Sequence, residues 1–432
     1  MRVYKPSGIK WLGEIPQSWE NVSIRSCFTE SNQRCNTDSY PLLSVTIANG
    51  IIYQDNIENK KDISNDDKSN YKIVPLNAVA YNKMRMWQGA VGVNTLTTGI
   101  VSPAYIVAIP NEKILPNFVS YLFKSKIMIG EFDKNSYGLC LDMNNLRYDD
   151  FRNIKIPLPP LQEQKEIAEF LDKKCEKIQN YIDKKQKLIT LLQEKKQALI
   201  NEVVTKGLNP NIEFKNSEIE YLGLIPHHWE VARSGLIYKN ISSGTTPQSD
   251  NDEYYKNGNI FWINSGDLND SVLTNSKNKI TQKAMMAYSA LKISPKGSLI
   301  IAMYGATIGK VSILGIDACT NQACCVLCES KYLNTRFVFY YFIAKRQDLI
   351  SMAYGGGQPN ISQDIIKNFK IPLPPLQEQK QIANFLDEKC EKINSVIEKT
   401  KKQIELIKEY KNTLINEAVC GRINFLEGIL NE

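Results

Sequence analysis

The spacing of apolar residues changes period twice along this chain, each time just after a run of prolines. Beyond Leu161 and again beyond Leu376, apolar positions recur in alternating steps of four and three, whereas before those points they come in short runs bounded by turn residues. In the first heptad stretch Leu171, Cys175, Ile178, Ile182, Ile189, Leu192, Leu199 and Val203 occupy the seam, and Lys185 and Lys196 fill the two remaining positions. In the second, Leu386, Cys390, Ile393, Ile397, Ile404, Ile407, Leu414 and Ala418 do so, with Thr400 and Lys411 as the exceptions. Each stretch predicts a helix of roughly 40 residues, about 60 Å long at 1.5 Å per residue. Matched seams, with a lysine at the same level in both, predict that the two helices pack on each other. Gly207 with Asn209-Pro210 is the stop signal of the first, and Gly421 of the second.

The heptads belong to a larger repeat. Ile-Pro-Leu-Pro-Pro-Leu-Gln-Glu-Gln-Lys occurs without a mismatch from Ile156 to Lys165 and from Ile371 to Lys380, an offset of 215. The same offset lays Phe170-Leu171-Asp172 on Phe385-Leu386-Asp387 and Leu199-Ile200-Asn201-Glu202 on Leu414-Ile415-Asn416-Glu417. A second match, offset by 210, pairs Trp11-Leu12-Gly13-Glu14-Ile15-Pro16 with Tyr221-Leu222-Gly223-Leu224-Ile225-Pro226, and Trp19-Glu20 with Trp229-Glu230. Between these landmarks the copies look unrelated. A common frame around unlike interiors suits recognition of two different things.

Within the first interior, Val74 to Tyr81, Ala90 to Val93 and Tyr105 to Ile109 read as strands and Phe118 to Ile129 as a helix. Within the second, Phe261-Trp262-Ile263 and Ser298 to Tyr304 read as strands and Asn334 to Ile343 as a helix. Two mixed α/β heads result. The expected division is a first head over 1–155, a long helix over 156–206, a second head over 207–370, a second long helix over 371–421 and a tail over 422–432.

At 432 residues, 43% hydrophobic and 23% charged, the chain is ordinary globular protein. The net charge of +7 permits an acidic partner such as nucleic acid without requiring one. Neither a signal peptide nor an apolar run long enough to span a bilayer is seen, so the cytoplasm is the expected location. The ten cysteines lack disulfide-framework spacing and read as reduced thiols. Cys319, Cys324, Cys325 and Cys328 lie close enough in sequence for zinc, but Cys324 to Cys328 reads as a buried strand whose neighbours face opposite ways. No metal is expected.

Catalytic motifs fail on inspection. Both Pro-Pro pairs sit between leucines, where an adenine methyltransferase would need Asn or Asp before them and an aromatic after. Gly305-Ala306-Thr307-Ile308-Gly309-Lys310-Val311 imitates a phosphate-binding loop but is one residue short between glycines and has Val311 in place of Ser or Thr. The only histidines, His227 and His228, have Gln17 and Ser18 at the matching places, so they read as a polar loop. Glu194 to Lys196 reads as a solvated helix face rather than a nuclease centre. A self-contained nuclease or helicase fragment therefore lacks its motifs, and a pure scaffold would give the heads no reason to differ.

The paired Trp-Glu and proline motifs, together with Lys206-Gly207-Leu208-Asn209-Pro210, resemble the specificity subunit of bacterial type I restriction-modification enzymes over essentially the whole chain. Ser243-Gly244-Thr245-Thr246-Pro247, Ser265-Gly266-Asp267-Leu268, Met303 to Lys310 and Gly357-Gln358-Pro359-Asn360-Ile361-Ser362 resemble that family's target recognition domains. The resemblance implies two α/β (α+β) recognition domains joined by two antiparallel coiled-coil helices in a pseudo-twofold repeat. It also implies a non-catalytic reader of an asymmetric bipartite site in double-stranded DNA. Two methylation subunits would dock on the helices and bring S-adenosylmethionine, and motor-nuclease restriction subunits would bring ATP and magnesium. This chain would hold no cofactor of its own.

Side chains suited to base edges and phosphates supply the candidate contacts. In the first head these are Lys83, Arg85, Asn144, Asn145 and Arg147, with Trp87 and Tyr137 as wedges or walls, core packing being an equal alternative for Trp87. In the second they are Thr245, Thr246, Tyr304, Thr307, Lys310, Gln358 and Asn360. The first head has Tyr137 to Asn145 where the second has Gly355 to Asn360, which predicts different half-sites.

Overall fold

The computed structural model describes residues 2–35, 40–57, 68–138, 144–353 and 359–423. The chain divides into two compact units, Met1–Gln186 with Lys401–Glu432, and Lys187–Thr400. Two helices, Leu161–Lys206 and Leu376–Val419, contribute to both units.

Every seam position expected from the heptads is buried or half-buried, including Lys185, Lys196, Thr400 and Lys411. The core of the first unit joins Ile167 and Leu171, from the start of the first long helix, to Leu414, Ile415, Ala418 and Val419 at the end of the second. The core of the second unit joins Leu199, Ile200, Val203 and Val204 to Ile382, Phe385, Leu386 and Cys390. Start meets end in each, so the helices run antiparallel. Lys196 marks the same register by donating to Asn394 Oδ1 at 2.9 Å.

In the first unit a four-stranded sheet runs in the order Phe28–Ser31, Tyr105–Pro110, Val79–Asn82, Val91–Val93, antiparallel throughout. Leu43–Thr46 pairs with Gly50–Tyr53, and Lys72–Val74 with Gly99–Val101. Two sequence expectations are revised. The run from Val74 to Tyr81 is two strands, because Pro75 cannot donate to a ladder and Asn77 turns the chain at φ 67°. Phe118 to Ile129 spans two helices, Pro116–Lys124 and Lys126–Lys134, because extended Ser125 caps the second by accepting from Met128 N.

The second unit is built on a five-stranded sheet in the order Asn240–Ser243, Cys324–Cys328, Leu299–Ala302, Val311–Leu314, Val272–Leu273. Ile260–Ile263 lies between Asn278–Ile280 and Cys319–Thr320 in a smaller sheet, and the helix Thr335–Ala344 is capped by Asn334. The four clustered thiols do not converge: Cys325 packs in the main core, Cys324 and Cys328 in a second apolar cluster and Cys319 in a third.

The duplicated motifs form duplicated joints. Buried Trp19 donates from its indole to Glu163 at 2.8 Å, and buried Trp229 donates to Glu378 at 3.2 Å. Fully buried Gln164 donates to the carbonyls of Lys113 and Pro159 and accepts from Leu115 N. Gln379 repeats this with Tyr332, Pro374 and Asn334 N. Tyr121 donates to Asp172 at 2.6 Å and Tyr340 to Asp387 at 2.7 Å, tying each head to the start of its own long helix. The helix-ending glycines, both left-handed, rest on the same tryptophans: Gly421 on Pro16 and Trp19, Gly207 on Trp229. The repeat therefore encodes one joint, made twice.

Candidate nucleic-acid interface

The first unit gathers its candidate residues from three stretches of chain. Strand Val79–Asn82 ends in a loop folded back on itself: Asn82 accepts from Arg85 N at 2.9 Å through its carbonyl and from Met84 N at 3.0 Å through its side chain, and Gly89 closes the loop at φ 91°. This loop carries Lys83, Arg85 and Trp87. Leu146 N donates to the Lys83 carbonyl at 2.8 Å, and Tyr137 and Asn145 exchange backbone hydrogen bonds at 3.1 and 2.9 Å. Asn144 and Arg147 flank that contact, so all seven residues lie on connected segments. Tyr137, Arg85 and Arg147 are exposed; Lys83, Asn144 and Asn145 are half-buried. Trp87 is half-buried, and its indole donates to the Met84 carbonyl at 3.0 Å, which stiffens the loop.

Two further cations join this group. Lys72 lies 4.0 Å from Glu30, and its pKa is lowered by burial first and then by the like charges of Lys83 and Arg34. Arg34 is bridged to Lys72 through the backbone and bonds Asn70 at 2.6 Å. Arg34, Lys72, Lys83 and Arg85 thus concentrate positive charge at one end of the head, the arrangement that attracts phosphates. Nothing in the sequence singles out Arg34 or Lys72, since only strand pairing brings them to the loop.

The second unit assembles its residues around the turn that follows strand Leu299–Ala302. Tyr304, Thr307 and Lys310 sit on this turn, which left-handed Gly305 and Gly309 shape and which Arg346 braces through Gly309 O at 3.0 Å and an ion pair with Asp270. Met303 N donates to Ala323 O and Ile361 N to Met303 O, both at 2.8 Å, bringing residues 321–323 and 359–361 alongside. Thr245 and Thr246 arrive through Gly244, whose N donates to Thr320 Oγ1 at 3.2 Å. A Cβ on Gly244 would stand 1.7 Å from the Thr320 carbonyl oxygen, so glycine is obligatory there. Thr245, Tyr304, Thr307 and Lys310 are half-buried, and Thr246 and Asn360 are exposed. Gln358 lies outside the described residues. Gln322, not singled out by the sequence, accepts from the Thr246 hydroxyl at 2.6 Å and lies beside Tyr304.

The imitation phosphate loop, Gly305 to Val311, is thus a turn between two antiparallel strands rather than a strand-to-helix turn. His228 pairs with Glu378 at 2.8 Å in the tryptophan joint. Among the described residues no group of three or more His, Cys, Asp or Glu is placed to hold a metal ion, and no helix is long and apolar enough to cross a membrane.

A family model described as the type I restriction modification DNA specificity domain matches residues 16–193 and again residues 226–406. The chain belongs to this family. Each match takes in one head and most of the long helix that follows it. The MjaVIII specificity subunit of a type I restriction enzyme from Methanocaldococcus jannaschii is 30% identical over 346 residues, covering 75% of this chain and 74% of the relative. The StySPI specificity subunit from Salmonella potsdam is 23% identical over 328 residues, covering 73% and 67%. Two solved structures share the fold. One, from work on complex assembly and conformational transition of the type I R-M system, has a TM-score of 0.73 at 17% identity and covers 95% of this chain and 99% of that one. The other, the HsdS subunit from Thermoanaerobacter tengcongensis, has a TM-score of 0.56 at 18% identity, covering 95% and 98%.

Proposed function

We propose that this specificity-family chain supplies the address of a type I restriction-modification complex. Each head reads one half of an asymmetric bipartite site in double-stranded DNA. The long helices carry two methylation subunits, and restriction subunits join that assembly. Methyl transfer from S-adenosylmethionine and ATP- and magnesium-dependent cleavage belong to those partners, and the chain itself is not an enzyme. The observation that carries this reading is the contrast between repeated joints and unlike tips. The first tip offers Lys83, Arg85, Asn144, Asn145 and Arg147, while the second offers hydroxyls and amides with Lys310. Arginine and lysine suit guanine and phosphate, and amides suit adenine. Docking along the helices is supported by exposed apolar residues at repeat-related positions, Leu161 with Leu376 and Leu191 with Leu406.

Exchanging residues of about 20 to 150 for the matching head of a related protein tests the reading. Mapped methylated adenines in cells carrying the exchanged chain and the methylation subunit should show one half of the site altered and the other intact. A change in both halves together would refute independent readers.

A further inference from the structure

We propose that Gln322 is a base-reading residue of the second head, and that it reads an A·T pair through the major groove. The inference rests on the DNA-reading function proposed above and assigns part of it to one side chain. Gln322 stands exposed in the turn between strands Cys319–Thr320 and Cys324–Cys328. That turn is rigid: Asn321 N donates to Ile263 O at 3.0 Å, and Ala323 N donates to the Asn321 side chain at 3.1 Å.

The amide of Gln322 is also held. The Thr246 hydroxyl donates to Gln322 Oε1 at 2.6 Å, and the Tyr304 phenol lies beside the same amide. A glutamine amide has two acceptor sites on oxygen and two N–H donors. With one acceptor site taken by Thr246, an acceptor site and an adjacent N–H remain for DNA. That remaining pair matches the major-groove edge of adenine, whose N6 amino group donates and whose N7 accepts. Guanine, with two acceptors there, would leave the amide oxygen facing an acceptor. Thr246 acts as a positioning residue, since its hydroxyl restricts the rotation that an exposed glutamine otherwise has and so lowers the ordering cost on binding.

The test uses the full chain co-expressed with its methylation subunit, with methylated positions mapped across the genome. With Gln322→Ala, one A·T position in the second half-site should become degenerate while the first half-site stays intact. In binding of the assembled complex to single-substitution duplexes, discrimination at that position should fall roughly 10- to 100-fold. Gln322→Glu, which can only accept, should move the preference at that position toward C·G, and Thr246→Val should weaken discrimination less than Gln322→Ala. An unchanged methylated site in Gln322→Ala would overturn the assignment while leaving the proposed function standing. Loosening of both half-sites, or loss of binding to all duplexes alike, would also overturn it, by showing a structural role. A wild-type chain that directs no bipartite methylation would overturn the function itself and this inference with it.

Discussion

Replacing each helix-ending glycine by alanine separates backbone strain from packing. Gly421 and Gly207 have φ of 75° and 77°, so either substitution places a Cβ in the left-handed region at about 1 to 2 kcal/mol. Their surroundings differ. At Gly421 the new carbon would stand 2.6 and 2.8 Å from Cδ and Cγ of Pro16 and 3.0 Å from the ring of Trp19. Pro16 is buried in the hairpin with Tyr4–Pro6 and Trp19 is fully buried, so neither can retreat cheaply. Overpacking of that kind adds about 1 to 3 kcal/mol, and the stiffer unfolded chain returns about 0.4 to 1. At Gly207 the nearest atom, at 3.0 Å, is the carboxylate end of Glu378, followed by Trp229 at 3.3 Å. Gly421→Ala is therefore expected to destabilise its unit by about 2 to 4 kcal/mol and Gly207→Ala by about 1 kcal/mol. Because a two-unit chain need not unfold in one step, hydrogen exchange of the segments around Trp19 and Trp229 reads each joint separately. Gly207→Ala opening its joint as much as Gly421→Ala opens the other would refute the steric argument.

Gln164→Leu and Gln379→Leu each leave two carbonyls and one N–H without their partners in a fully buried place, at about 3 kcal/mol or more; a denaturation midpoint within 1 kcal/mol of wild type would show that water replaces the glutamine. Lys72→Ala, if Lys72 belongs to the phosphate-facing group, should weaken binding of the assembled complex to all duplexes alike and lower the salt slope by about one unit, whereas sequence-selective loss would contradict that role. Burial pushes the thiols of Cys319 and Cys325 up to about 12, so at pH 8 native protein should resist alkylation at both, as mass spectrometry of labelled peptides would read. The unfolded chain loses these protons first, near pH 9, so their contribution to stability is present below that pH and declines as pH rises toward 12.

The long helices were legible because each announces itself with one local period, and their antiparallel pairing was implied by the family resemblance. The division of the clustered cysteines followed for a similar reason, strand alternation being a local rule that sends Cys325 one way and Cys324 and Cys328 the other. The break at Ser125 was not legible, since apolar spacing continues across it and a single capping serine marks the new helix. Lys72 and Gln322 were missed for a deeper reason. Each reaches its tip through backbone pairing with residues distant in sequence, Lys72 opposite Val101 and Gln322 beside the turn at Met303, and no local pattern states a register.

The same contrast explains why the joints repeat and the tips do not. A joint must satisfy buried groups: Gln164 has three hydrogen bonds to complete, Trp19 needs a carboxylate for its indole, and Gly421 has no room for a Cβ. Each demand narrows the choice of residue, so a second joint of the same geometry repeats the letters at Gln379, Trp229 and, for the left-handed turn, Gly207. A tip faces solvent until it meets a ligand, and Arg85, Tyr137 and Thr246 are exposed with few internal demands. Their identities are free to answer to whatever base pairs each head reads, which is how one frame can present two unlike surfaces in a single chain.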